Sequence, residues 1–224
     1  LAYLDAYQIS GEPRFAEVAR ETLDYLRREM TSPEGAFYSA TDADSPTPAG
    51  HDEEGWYFTW TPDELVDVVG ETRAGLVASR YGVTPAGNFE GRSILHDARP
   101  LDDVAREAGL PTDEAASELE AARKALYEAR AKRPPPLRDD KVIAAWNGLA
   151  ISAFARGARV LGDPSYAEAG AAAAHVVLDR MTDEGRLARS YIGGQARHDA
   201  VLDEYACVIA GLLDMYEASF GPRW

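Results

Sequence analysis

The chain has 224 residues, with 38 acidic against 23 basic side chains and a formal net charge of −15. That balance excludes nucleic acid and anionic membrane surfaces as partners, because both need a basic patch. One cysteine, Cys207, excludes a disulfide framework and any multi-cysteine metal cluster. The length is enough for a core that stands without staples. No apolar run approaches the roughly 18 residues of a membrane span, and no charged-then-apolar leader opens the chain. Leu1 falls inside a helical pattern and Trp224 interrupts one. The expectation is therefore a cytoplasmic fragment of a longer protein, poorly soluble in isolation.

In chain order, the first signal is Leu4-Asp5-Ala6-Tyr7-Gln8-Ile9-Ser10 followed by Pro13-Arg14-Phe15. It recurs as Leu213-Asp214-Met215-Tyr216-Glu217-Ala218-Ser219 and Pro222-Arg223-Trp224, with a third copy in Gly162-Asp163-Pro164-Ser165-Tyr166. Each reads as a helix end, a short loop, and a proline opening the next helix, where its missing N–H costs nothing. Asp163 suits the N-cap position before Pro164. After Pro13, the residues Phe15, Val18, Ala19, Thr22, Leu23, Leu26 and Met30 share one helical face. Two of the helices close alike, at Met30-Thr31 with Gly35 and at Met181-Thr182 with Gly185. The unit is a helical hairpin followed by a turn. The spacing of Pro164 and Pro222 suits one hairpin, and the longer interval from Pro13 leaves room for more hairpins or an insertion.

Phe37-Tyr38-Ser39-Ala40 and Trp56-Tyr57-Phe58-Thr59-Trp60 read as two strands flanking a loop from Thr41 to Gly55. Thr61-Pro62-Asp63-Glu64 is a capping-box start for a helix ending at Gly70. Further helices are expected near Thr72–Tyr81, Leu101–Ala108 and Asp113–Lys132, the last stopped by Pro134-Pro135-Pro136. Asp139-Asp140 is expected to open a long apolar helix from Lys141 to Leu161.

Three acidic clusters could carry chemistry. The first is Asp42 and Asp44 with Asp52-Glu53-Glu54. Counted from Asp42 it has carboxylates at positions one, three and twelve of a calcium loop. Thr47 stands where that loop needs glycine, and Pro46 and Pro48 flank it, so a solvated acidic loop is the simpler reading. The second cluster is Asp139-Asp140-Lys141, with Trp146 and Asn147 on the following helix. It reads either as a helix cap with one satisfied asparagine, or as a general acid or base beside a stacking platform. The third is Asp203-Glu204-Tyr205, opening the final helix. Carboxylates converging on one mouth are the arrangement of glycoside chemistry. His51, His96, His175 and His198 have no zinc-like spacing, so no metal is assigned. No phosphate-binding loop or dinucleotide motif is present, so no cofactor is assigned.

These motifs resemble those of the thioredoxin-domain-containing family that includes the spermatogenesis-associated proteins. The strings are Gly35-Ala36-Phe37-Tyr38-Ser39-Ala40-Thr41-Asp42-Ala43-Asp44-Ser45, Gly55-Trp56-Tyr57-Phe58-Thr59-Trp60, Asp139-Asp140-Lys141-Val142-Ile143-Ala144-Ala145-Trp146-Asn147-Gly148-Leu149 and Asp203-Glu204-Tyr205-Ala206. The resemblance covers essentially the whole chain. It implies an all-α fold, part of an (α/α)6 toroid of the six-hairpin glycosidase type, similar also to N-acylglucosamine 2-epimerases. Residues 35–60 would be an inserted β-hairpin, 62–136 a helical segment and 139–224 helical hairpins. The thioredoxin-like domain would lie outside this chain and be its partner within the longer protein. Leu137-Arg138 precede Asp139 where the family commonly carries a histidine.

Under the enzymatic expectation the ligand is a carbohydrate, with Asp42, Asp44, Asp140 and Glu204 as acid/base groups. Tyr57, Trp60 and Trp146 would stack on sugar rings, and Asp139, Lys141, Asn147, Asp203 and Tyr205 would complete the binding surface. The competing expectations are a non-catalytic scaffold that binds a glycan or a protein, and a purely architectural module.

Overall fold

The computed structural model describes residues 1–224 and is helix-rich, with nine helices and several short strands. The helices are α1 Ala2–Ser10, α2 Pro13–Glu29, α3 Pro62–Val69, α4 Glu71–Tyr81, α5 Leu101–Ala108, α6 Thr112–Arg130, α7 Ala144–Leu161, α8 Pro164–Arg180 and α9 Leu202–Ser219. No helix is long and apolar enough to cross a membrane. By contacts the chain divides into two compact units, Leu1–Ala40 with Arg138–Trp224, and Thr41–Leu137.

The sequence repeat is a structural repeat in the first unit. α1 and α7 both end on a left-handed glycine, Gly11 at φ 71° and Gly162 at φ 69°. α2 and α8 both begin on the expected prolines, and the Asp163 carboxylate accepts from the Ser165 N–H at 3.0 Å. At their far ends, Thr31 donates to the Leu26 carbonyl at 3.0 Å and Thr182 to the Val177 carbonyl at 3.1 Å. The chain then returns in the same way. Tyr38 N–H donates to the Met30 carbonyl, and Ala188 N–H to the Met181 carbonyl. In the third copy Phe220 occupies the left-handed position, at φ 53°.

α7 is the centre of this unit. Gly148 on α7 and Gly211 on α9 let two backbones meet. A Cβ on Gly148 would lie 2.4 Å from the Cys207 carbonyl carbon, and one on Gly211 would lie 2.5 Å from the Gly148 oxygen. The contacts then advance in step: Ser152 bonds Asp214 and Arg159 pairs with Glu217. α7 and α9 therefore run parallel. α1 runs with them, as Asp5 pairs with Arg156 and Gln8 shares a cavity wall with Arg159 and Val160. α2 and α8 run back. Gly157 of α7 meets Leu23, and the Leu161 carbonyl accepts from Arg20 at 2.8 Å. Phe154 stacks on Phe37 with ring centroids 4.9 Å apart, and Tyr166 of α8 tilts against it at 6.0 Å.

A small antiparallel sheet lies in the same unit. Val142–Ile143 pairs with Arg186–Ile192, which pairs in turn with Gln195–Asp199. Gly193 and Gly194 join the last two strands, both at positive φ as a two-residue hairpin turn requires. This hairpin is an addition to the sequence reading, although its Gly-Gly signal was visible. The sheet also corrects the start of α7. Val142 and Ile143 pair with Tyr191 and Ser190 as strand, so the helix begins at Ala144; ahead of it Asp139 ends the short strand Arg138–Asp139 and Asp140 stands between the two strands.

In the second unit α3 has the expected capping box. Thr61 Oγ1 accepts from the Glu64 N–H at 3.3 Å, and Glu64 Oε2 accepts from the Thr61 N–H at 2.9 Å. Glu64 also takes Arg92 at 2.6 Å and Arg133 at 3.4 Å. Arg133 donates to the carbonyls of Trp56, Tyr57 and Thr59. Its guanidinium lies 5.0 Å from the Trp56 ring centroid and 4.1 Å from that of Trp60. This arrangement corrects the two expected aromatic strands. Residues 55–58 form a turn, with the Phe58 and Thr59 N–H groups donating to the Gly55 carbonyl. Phe37 makes only an isolated bridge to Thr31. The paired strands are Asp44–Pro46 and Asp52–Glu54, inside the expected loop. Aromatic strand propensity reflects half-buried surface, and here a cation provides the packing partner instead of a neighbouring strand. α4, α5 and α6 complete this unit, the first two ending at Gly82 and Gly109.

Three stability changes are expected on urea denaturation. Gly148→Ala should destabilise by about 3 kcal/mol, because the added methyl meets backbone that cannot rotate away. Glu64→Ala removes a cap and strands two half-buried guanidinium groups, at a cost of about 3 kcal/mol. Phe220→Gly should stabilise by about 0.5–1 kcal/mol by relieving a left-handed side-chain residue at a helix end.

Candidate functional site

The N-terminal ends of α7 and α9 gather the second and third acidic clusters in the first unit. Ahead of α7, Ser39 donates through its N–H and its hydroxyl to the Asp139 carbonyl, at 3.3 and 3.1 Å. The Asp139 carboxylate receives the Lys141 ammonium at 3.0 Å and the Lys141 N–H at 3.2 Å. The Lys141 side-chain bond, helped by that N–H and by Ser39, holds the Asp139 carboxyl below the usual carboxylate range. Asp140 accepts from Arg138 Nε at 2.6 Å. Arg138 in turn lies over the Tyr38 ring, 4.2 Å from its centroid, and its bond to Asp140 raises its pKa. Tyr38, Ser39, Arg138, Asp139, Asp140 and Lys141 thus form one connected surface.

Trp146 and Asn147 are adjacent on α7 and meet opposite environments. Asn147 is 1 % exposed. Its Oδ1 accepts from the Phe37 N–H at 2.8 Å, and its Nδ2 donates to the Phe37 and Ile143 carbonyls at 2.9 and 3.1 Å. Asn147 therefore acts as a strand partner for Phe37, with both amide hydrogens engaged. Trp146 is 52 % exposed between buried Ala145 and Asn147, and Leu149, one turn on, is equally open.

In the third cluster Glu204 is 4 % exposed. Its Oε2 accepts from the Val201 N–H at 2.8 Å, and Oε1 lies 3.5 Å from Arg189 Nε. Glu204 caps its own helix. Tyr205 accepts from the Leu187 N–H through its hydroxyl at 2.9 Å, tying α9 to the sheet. Asp203 is exposed in the first turn of α9.

The remaining expected residues lie in the second unit. Asp42 and Asp44 are exposed, with Asp42 Oδ1 accepting from the Asp44 N–H at 3.3 Å. Asp44 stands opposite Glu54 in the strand pair. Tyr57 carries Arg130 over its ring at 5.4 Å. Trp60 is 4 % exposed, and Arg133 covers its face. No group of three or more His, Cys, Asp or Glu side chains converges as a metal site.

Arg133, Arg92 and Arg189 were not singled out in the sequence, and Arg138 only as a departure from a motif. Nothing in their local spacing marks them, because the carboxylates and rings they meet are distant in sequence. Tyr38 was legible only as an aromatic in a motif string.

No protein-family model matches the chain. Human spermatogenesis-associated protein 20 is 34% identical over 254 aligned positions, which take in 100% of this chain and 32% of that protein. The mouse protein of the same name is 33% identical over the same share of each chain. An uncharacterized protein of Caenorhabditis elegans is 26% identical over 89% of this chain and 31% of its own length. The chain is therefore similar to the human and mouse proteins along its whole sequence, and it spans about a third of the length of the curated relatives it matches.

Proposed function

We propose that the first unit is part of an α/α toroid and binds a carbohydrate at the N-terminal end of α7. The parallel course of α1, α7 and α9, with α2 and α8 returning, supports the toroid. It is the pattern of inner and outer helices in such a ring. The observation that carries the ligand reading is the exposure of Trp146. A tryptophan open to water between buried neighbours supplies a flat apolar face with a polar edge, which suits a sugar ring. Beside it, the surface built from Arg138, Asp139, Asp140 and Lys141 offers paired donors and acceptors for hydroxyl groups.

Binding without proton transfer is the stronger form of this reading. Glu204 is committed to its helix cap and to Arg189, and Asp44 sits in a strand hairpin of the other unit with Asp42 just ahead of it. An enzymatic form, glycosidase- or epimerase-like, rests on Asp140. It is the candidate carboxylate between Asp139 and Lys141, and its partner Arg138 is half-exposed. In the longer protein a thioredoxin-like domain would be the neighbour of this module.

The test is titration calorimetry of the chain against a panel of mono- and oligosaccharides, with chromatographic assay of the products. A sugar that binds is expected to lose about 1–2 kcal/mol of affinity in Trp146→Ala. Asp140→Asn should leave binding within about threefold. Turnover that disappears in Asp140→Asn while binding persists would establish the enzymatic form. Failure of every sugar to bind, or unchanged affinity in Trp146→Ala, would overturn the carbohydrate reading.

A further inference from the structure

A cavity lined by none of the motif residues lies in the second unit, between α4, α5 and α6. Its volume is about 560 Å³, in the range of small-molecule sites. Leu76, Val104 and Leu110 form its apolar floor, and Leu76 and Val104 are buried core residues. Gly75 opens it. This glycine lies inside α4, where glycine weakens a helix. It has no left-handed φ, and a Cβ added there would meet nothing within 4 Å. Neither a turn nor a close approach requires it. What the missing side chain leaves is space above the floor.

The rim is charged and mostly acidic. Glu118 is ion-paired with Arg73, and Glu107 with Arg99 at 2.5 Å. Glu114 lines the same cavity without a basic partner. It stands in the first turn of α6. An apolar floor with one uncompensated carboxylate at its edge complements an amphiphilic cation. The net charge of −15 adds long-range attraction of the same sign.

We propose that this cavity binds a small apolar ligand bearing an ammonium group. The apolar part rests on Leu76 and Val104 in the space beside Gly75, and the charge lies against Glu114. The site is independent of the carbohydrate reading and shares no residue with it.

The test uses the 224-residue chain and three probes of similar size: phenethylammonium, 2-phenylethanol and phenylacetate. Binding is followed by calorimetry and by chemical-shift changes. Phenethylammonium is expected to bind about tenfold more tightly than the alcohol, with phenylacetate weakest, and about 0.5 M salt should shrink that preference. Glu114→Gln should bring the amine down to the level of the alcohol and leave the alcohol unchanged. Gly75→Leu should abolish binding of both with unchanged circular dichroism. Gly75→Ala, which also favours the helix, should weaken both and serves if the leucine variant misfolds. Equal affinity for all three probes, no binding of any, or full binding in a folded Gly75 variant would overturn the proposal.

Discussion

The contact on which the first unit depends is backbone against backbone, where α7 meets α9 at Gly148 and Gly211. Two helices approach this closely only when neither carries a side chain at the crossing. The approach aligns Ser152 with Asp214 and Arg159 with Glu217, and so sets the two helices parallel. Parallel helices bring their N-terminal ends to one side. That is why the loop before α7 and the hairpin before α9 share an end, and why Val142–Ile143 reaches Arg186–Ile192. The small sheet follows from the helix crossing.

The second unit has a different centre. Glu64 closes the cap of α3 while holding Arg92 and Arg133, and Arg133, between two indole rings, pins the turn at 55–58. Burial draws the Arg133 pKa down and Glu64 opposes that shift. A guanidinium in this position stays charged, so the carboxylate and the carbonyls around it are structural necessities. The charged groups that hold this unit therefore lie where a sequence reader would look for chemistry. Trp60 is an example: it sits in a motif, yet its ring face belongs to Arg133.

The same division runs through the first unit. Asn147 and Glu204 are buried and fully engaged in holding strand and helix ends. Asp140 and Trp146 are open, and around them the protein has side chains without a packing duty. Exposure thus separates positions that build the fold from positions that can meet a ligand. The motif strings mix the two kinds residue by residue.

The sequence by itself determined the local elements. The Gly-x-Pro junctions, the Thr61–Glu64 box and the apolar periodicity after Pro13 placed most helices, because caps and periodicity act within one or two turns. The repeat was legible for the same reason, down to the matched Met-Thr ends. Only the tertiary structure decided three things. It made Val142–Ile143 strand, because Tyr191 and Ser190 offer a ladder nearly fifty residues on. It turned the Trp56–Trp60 run into a turn around Arg133, because a distant cation competes with strand pairing. It set Asn147 inside and Trp146 outside, because the close approach of α7 to α9 fixes which face of the helix is covered. Each of these depends on a partner remote in the chain, and no local pattern of residues encodes that partner.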